Sequence, residues 1–221
     1  MRIFPLSESA ITVEFGDQIS LELNERSVDL ARTISAGLFP GFIEAVPAYA
    51  SVTIFFDPIE VRHYSETTAF QFVEKFIRNA IENVETNSSK ETRTVEVPVS
   101  ITADSALDLT SICELSELAT PEVIEIFLSR TYRVYMLGFL PGFAYMGEVD
   151  ERIAAPRLKT PRTKVPKGSV GVAGKQTGIY PVESPGGWNI IGQTDLRMFD
   201  AASDDPCLLK AGDEVRFIRV G

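Results

Sequence analysis

Apolar and polar residues alternate along "AITVEFGD" (10–17), the period-two pattern of a half-buried strand. The period then changes. In "LELNERSVDLARTISAGLF" (21–39), Leu23, Val28, Leu30, Ala31 and Ile34 recur near helical spacing, and Gly37 offers a stop. "YASVTIFFDP" (49–58) reads as a strand closed by Asp57-Pro58. The clearest helix is predicted over "ETTAFQFVEKFIRNAIENV" (66–84). There Phe70, Val73, Phe76, Ile77, Ala80 and Ile81 form one stripe with charges opposite. The N-terminal part thus mixes strands with two helices, as an α+β unit does.

"ETNSSKETR" (85–93) is polar throughout and reads as a linker. "TVEVPVS" (94–100) alternates as a strand, and two short helices are predicted over 107–118 and 120–131. Thr120 suits an N-cap and Pro121 a first helical turn. From Tyr132 onward the texture changes. "YRVYML" alternates as a strand, and then Gly and Pro recur up to Gly192 with no helical period. Short β-segments between Gly/Pro turns suggest a closed barrel or a sandwich. "LLKAGDEVRFIRV" (208–220) reads as a turn at Gly212-Asp213 and a last strand.

Composition narrows the function classes. The chain has 221 residues, 44% hydrophobic and 24% charged, enough for one large packed domain or two modest ones, of which two is the expectation. A net charge of −10 repels phosphate backbones and anionic lipid heads, so nucleic acid and membrane surfaces are poor partners. Cys113 and Cys207 lie far apart and in no metal spacing, as two buried, reduced thiols of a cytoplasmic protein would. "MRIFPLSESAITVEFGD" has no apolar leader region, and no run approaches the roughly 18 apolar residues of a membrane span. One histidine, His63, excludes two-histidine sites and is expected on the surface or at a cap. No metal site is evident.

Four segments carry candidate chemistry. "GSVGVAGKQTG" (168–178) imitates a P-loop, but Ser169 stands where its first glycine belongs and Gln176 fills the Ser/Thr slot. It is not GxGxxG either, because Gly168, Gly171 and Gly174 are evenly spaced and nothing helical follows. Its glycines fit barrel turns or bulges, or a place where bare backbone approaches a ligand. "YPVESPGGWNIIGQT" (180–194) joins a Pro-Gly-Gly turn to Trp188, either a core plug or a ligand wall. "APRLKTPRTKVPKGS" (155–169) gathers Arg157, Lys159, Arg162, Lys164 and Lys167, kept extended by Pro156, Pro161 and Pro166. That cluster reads as a solvated face or as an anion site. "MLGFLPGFAYMG" (136–147) is uncharged and aromatic, and its glycines and Pro141 force it out of a sheet. It reads as a pocket wall or a protein interface.

Together, "TYRVYMLGFLPGFAYMG", "TPRTKVPKGSVGVAGKQTGIYPVESPGGWNIIGQT" and "AGDEVRF" resemble the 5-oxoprolinase B-subunit family, also called the KipI or allophanate hydrolase subunit 1-like family. The match is dense over about 130–221 and looser upstream. The resemblance implies a small α+β N-terminal domain (1–88) and a cyclophilin-like β-barrel domain (89–221). It implies a non-autonomous component that works with a KipA-like partner and a LamB/YcsF-like partner, an assembly that opens 5-oxoproline to glutamate at the expense of ATP. Family members have also been described as inhibitors of a sensor histidine kinase, and fused relatives form the carboxyltransferase part of urea carboxylase.

On that resemblance, Arg157, Arg162 and Lys175 meet carboxylate or phosphate charge. Gly142, Gly171 and Gly187 allow close backbone approach, Phe139, Phe143 and Trp188 line the wall, and Gln176, Thr177 and Tyr180 supply polar specificity. No general base is assigned. Two departures stand out. Phe127 occupies a position where relatives commonly carry histidine, and "SITADSALDL" (100–109) replaces a Gly-Pro-containing loop.

Overall fold

The computed structural model describes residues 1–83 and 92–221. The linker expected at 85–93 lies outside the described residues except for Thr92 and Arg93. The chain divides into two compact units, Met1–Glu91 and Thr92–Gly221.

The first unit contains β1 (Arg2–Ser7), β2 (Ala10–Glu14), α1 (Leu21–Gly37), β3 (Phe42–Pro47), β4 (Ser51–Phe56), α2 (Pro58–His63) and α3 (Ala69–Asn83). Its antiparallel sheet has the order β1-β2-β4-β3. Ile11, Val13, Val52, Ile54 and Phe56 form a core with Leu30 and Ile34 of α1 and Val73 and Ile77 of α3. The stripes read from the sequence for both long helices are therefore their buried faces. The sequence pattern misses β1, β3 and α2. Both strands are sheet edges, each carries a proline and a register irregularity, and their exposed residues give no alternation. Asp57-Pro58, expected only to close a strand, opens α2. The Asp57 carboxylate accepts from the Ile59 N–H at 2.8 Å, and Pro58 takes the first helical turn. His63 ends that helix, exposed.

The second unit runs β5 (Thr94–Ser100), α4 (Leu109–Ser116), α5 (Thr120–Leu128), β6 (Thr131–Leu137), β7 (Ala144–Gly147), a 3₁₀ turn (Glu151–Ile153), β8 (Arg162–Val165), β9 (Ser169–Ala173), β10 (Gln176–Ile179), β11 (Ser184–Gly186), β12 (Asn189–Gln193) and β13 (Glu214–Val220). Seven strands close a barrel in the order β10-β7-β6-β13-β5-β12-β9, and β8 pairs with β11 as a separate ribbon. β5 and β13 pair in parallel, and the other pairings are antiparallel. Gly212, at φ +92°, makes the turn into β13. "GSVGVAGKQTG" is the β9–β10 hairpin, with Gly174-Lys175 at its tip.

Val97, Val134, Met146, Val172, Ile179 and Phe217 fill the barrel, joined by Ile112 of α4 and Val123 and Phe127 of α5. Phe127 stacks on Phe217 at 5.0 Å and lies 5.1 Å from Tyr132, whose hydroxyl donates to the Phe127 carbonyl at 2.8 Å. The position at which the resemblance led one to expect histidine is thus a core position, filled by Phe127. Thr120 is the first residue of α5 and not its cap. Ala119 is the cap, and its N–H donates to the Glu122 carboxylate at 2.9 Å. Cys113 and Cys207 are free but only half-buried. Among the described residues, no helix is long and apolar enough to cross a membrane.

Candidate functional site

The uncharged stretch leaves the sheet only between β6 and β7, where residues 138–143 form a tight turn, and its end returns to the sheet as β7. Gly138 N–H donates to Phe143 C=O at 3.1 Å, and Phe143 N–H to Leu140 C=O at 3.0 Å. Phe139 sits in the left-handed region at φ +67°, a conformation costing a non-glycine residue about 1–2 kcal/mol. Gly142 follows at φ +81°, and a Cβ there would come within 2.7 Å of the Phe199 Cβ. The turn leaves the Phe139 side chain 60% exposed, edge-on to Phe143 at 5.6 Å.

Phe143 is the hub. Its ring lies edge-to-face against Tyr145 at 4.9 Å, Tyr180 at 5.3 Å and Trp188 at 5.5 Å. Tyr180 is buried, and burial pushes its phenol up, with the Trp188 backbone pulling the other way. Trp188 is a buried ring that also lines the cleft.

The 155–161 segment adds Arg157, Leu158 and Pro161 to the lining. Asn189 Nδ2 donates to Pro156 C=O at 2.8 Å, and Leu158 N–H to Gly187 C=O at 2.8 Å. Arg157 extends over Trp188, its guanidinium carbon 5.8 Å from the ring centroid. The result is an open cleft of about 260 Å³. Phe139, Phe143, Tyr145 and Tyr180 line it together with Arg157, Leu158 and Pro161. Pro185, Gly186, Gly187 and Trp188 complete it. Among the described residues, no carboxylate, histidine, serine or cysteine lines it. It can enclose a small apolar body and offer one cation.

Of the residues expected at a site, Phe139, Phe143, Arg157, Tyr180, Gly187 and Trp188 line this cleft. The others have different neighbours. Gly142 admits Phe199 and Met198, while Gly171 admits Trp188, whose Cβ would lie 3.0 Å from an added methyl. Thr177 is buried and donates to Gly171 C=O at 2.9 Å. Gln176 is half-buried on β10 opposite Gly147. Lys175 pairs with Glu151, whose carboxylate raises its pKa. Arg162 forms a two-pronged bond to Asp108, at 2.9 and 2.6 Å.

Asp108 is a residue that sequence reasoning misses. Its carboxylate, 6% exposed, also accepts the Ile190 N–H at 2.7 Å, and its own N–H donates to Ile190 C=O at 2.8 Å. It thereby ties the β8–β11 ribbon, and with it the cleft wall at Pro185 and Gly186, to β12 of the barrel. Nothing local in "ALDLT" signals this. Gly186 is missed too. A Cβ on it would lie 2.4 Å from the Tyr180 hydroxyl oxygen. Among the described residues, no group of three or more histidine, cysteine or acidic side chains could hold a metal ion.

Residues 1–209 match the family described as carboxyltransferase domain, subdomain C and D. The chain is 40% identical over 222 aligned positions to the 5-oxoprolinase B subunit of Bacillus subtilis (strain 168), covering 99% of this chain and 92% of that one. A crystal structure of TTHA0988 superposes with a TM-score of 0.83 at 33% identity, over 96% of this chain and 40% of that chain. The Pyrococcus horikoshii protein PH0987 is 41% identical, with a TM-score of 0.56 over 99% of this chain and 97% of that one.

Proposed function

Because this chain belongs to the carboxyltransferase-domain, subdomain C and D, family that includes the 5-oxoprolinase B subunit, we propose that it is the B subunit of an ATP-dependent 5-oxoprolinase-type complex. The observation that carries this reading is the 40% identity to the Bacillus subtilis protein over nearly the whole of both chains. On this reading the barrel is of the cyclophilin-like type. The partners are a KipA-like protein and a LamB/YcsF-like protein, and the assembly works in the cytoplasm.

The cleft supports a half-site. Opening a lactam needs its carbonyl activated, a nucleophile delivered and protons moved. The cleft supplies an aromatic enclosure and a guanidinium, so it holds and orients, and the proton-transfer groups come from the two partner proteins. The residues do not fit a triphosphate. Such a group calls for a backbone N–H nest or several cations, whereas the β9–β10 hairpin departs from a P-loop and the cleft offers Arg157 alone among the described residues. Phe127, buried behind the barrel wall, lies outside the cleft, so its place in the sequence is compatible with turnover.

The test is 5-oxoproline-dependent ATP hydrolysis by this chain alone and then mixed with a KipA-like and a LamB/YcsF-like protein from the same organism. Turnover is expected only in the mixture. A stable three-protein complex without turnover would count against the reading, as would activity of this chain by itself. The family description favours one alternative, a carboxyltransferase half-site, which requires a biotin-carrying partner to co-purify.

A further inference from the structure

The first unit holds a cavity of its own, an open groove of about 540 Å³ along α3. Phe72 and Phe76 line it, with Lys75 and with Ser65 and Thr67 from the connection between α2 and α3. Gln71, Lys75 and Asn79 also lie along it, one helical turn apart, so the groove follows the helix for about 12 Å. Phe72 is not part of the stripe that folds α3. It sits one position from the buried Val73, about 100° around the helix from the core face. Its ring is nevertheless half-buried, 6.3 Å from the ring of the buried Phe39, and Phe76 lies 4.9 Å from that same ring. The core therefore backs both phenyl rings where they line the groove. The polar side chains of the rim are engaged. The Ser65 and Thr67 hydroxyls lie 2.8 Å apart, the Thr67 N–H donates to Ser65 Oγ at 3.1 Å, and Gln71 Oε1 accepts the Thr68 N–H at 3.2 Å. Lys75 differs. It is exposed and has no hydrogen bond or ion pair among the described residues, while its neighbours Glu74 and Arg78 pair with each other at 2.6 Å.

We propose that this groove binds an elongated apolar molecule ending in one carboxylate, with Phe72 and Phe76 against its hydrocarbon body and the Lys75 ammonium on its carboxylate. Three observations converge. The volume falls within the roughly 300–1,000 Å³ of small-molecule sites, and the lining follows their pattern of aromatic walls with a few polar groups. Among the described residues the lining holds one charge, and it is positive, so a single anionic group is matched and a cationic one is repelled. The groove runs along two turns of one helix, which suits a long, narrow body better than a compact ring. An ammonium on a flexible stem is a point charge with three donors, so it can meet the end of a chain without fixing its plane. Burying hydrocarbon against the two phenyl rings supplies affinity, and the charge pair selects the sign. The site uses no residue of the barrel and does not rest on the function proposed above.

The full chain is titrated in a calorimeter with octanoate and with octylamine, which keeps the apolar body and reverses the charge. Octanoate should bind saturably and octylamine should not. Lys75→Gln should weaken octanoate about tenfold or more, the loss of a charge-assisted hydrogen bond. Arg78→Gln, the same change of charge on α3 outside the lining, should bind octanoate as the wild type does. Thermal melts of both variants confirm that they are folded, as expected for exposed side chains. Trp188 is the chain's only tryptophan and lines the barrel cleft, so its emission should stay constant through the titration. Absence of saturable binding, equal binding of octylamine, or wild-type affinity in Lys75→Gln would overturn the proposal. So would a saturable change in Trp188 emission that tracks the heat, which would place the ligand in the barrel.

Discussion

At the scale of single residues, the two glycines of "SPGGW" are indistinguishable in sequence and unlike in space. The backbone of Gly186 rests against the Tyr180 ring, which is buried and wedged by Phe143. At Gly187 the nearest atoms to an added Cβ belong to Pro161, at 3.5 Å and beyond, an ordinary contact distance. Gly186→Ala is therefore expected to cost about 1–3 kcal/mol of overpacking and to lower the melting temperature by roughly 2–10 °C. Gly187→Ala should melt within about 1–2 °C of the wild type. Equal melting temperatures for the two variants would mean that Tyr180 yields easily. The sequence marks both positions as turn glycines, because turn chemistry is local. Which one is sterically pinned depends on a ring that reaches it from the β10–β11 connection.

At the scale of elements, the decisive device is the Asp108–Arg162 pair, which joins residues 54 positions apart. It holds the β8–β11 ribbon against the barrel through one nearly buried carboxylate. Asp108→Ala removes the acceptor for two guanidinium bonds and for the Ile190 N–H. The expected loss is about 3 kcal/mol, below the top of the range for buried pairs because Arg162 remains partly exposed to water. A lowered urea midpoint with an unchanged slope would show it, and a midpoint equal to that of the wild type would refute it. The long helices α1 and α3 are legible in the sequence because an amphipathic stripe over several turns is self-reporting. Edge strands β1 and β3 are not, because their solvent-facing residues break the alternation that identifies a strand.

At the scale of the whole molecule, residues 92–221 contain a closed barrel with its own core. Expressed alone, this segment is expected to unfold in a single cooperative thermal transition. A broad, non-cooperative melt followed by circular dichroism would contradict that. The sequence by itself determined the helices α1, α3, α4 and α5 and the strands β2, β4, β5, β6 and β13, that the β9–β10 segment departs from a phosphate loop, and that an aromatic stretch and a cationic stretch exist. These follow from backbone periods of two and 3.6 residues and from the dihedral habits of glycine and proline, all of which act over a few positions. Only the tertiary structure decided that Trp188 and Phe143 pack edge to face, that Arg162 and Lys175 are paired with Asp108 and Glu151, and that Arg157 lines the cleft. Those outcomes depend on strand register and barrel closure, which bring together side chains that no local pattern relates.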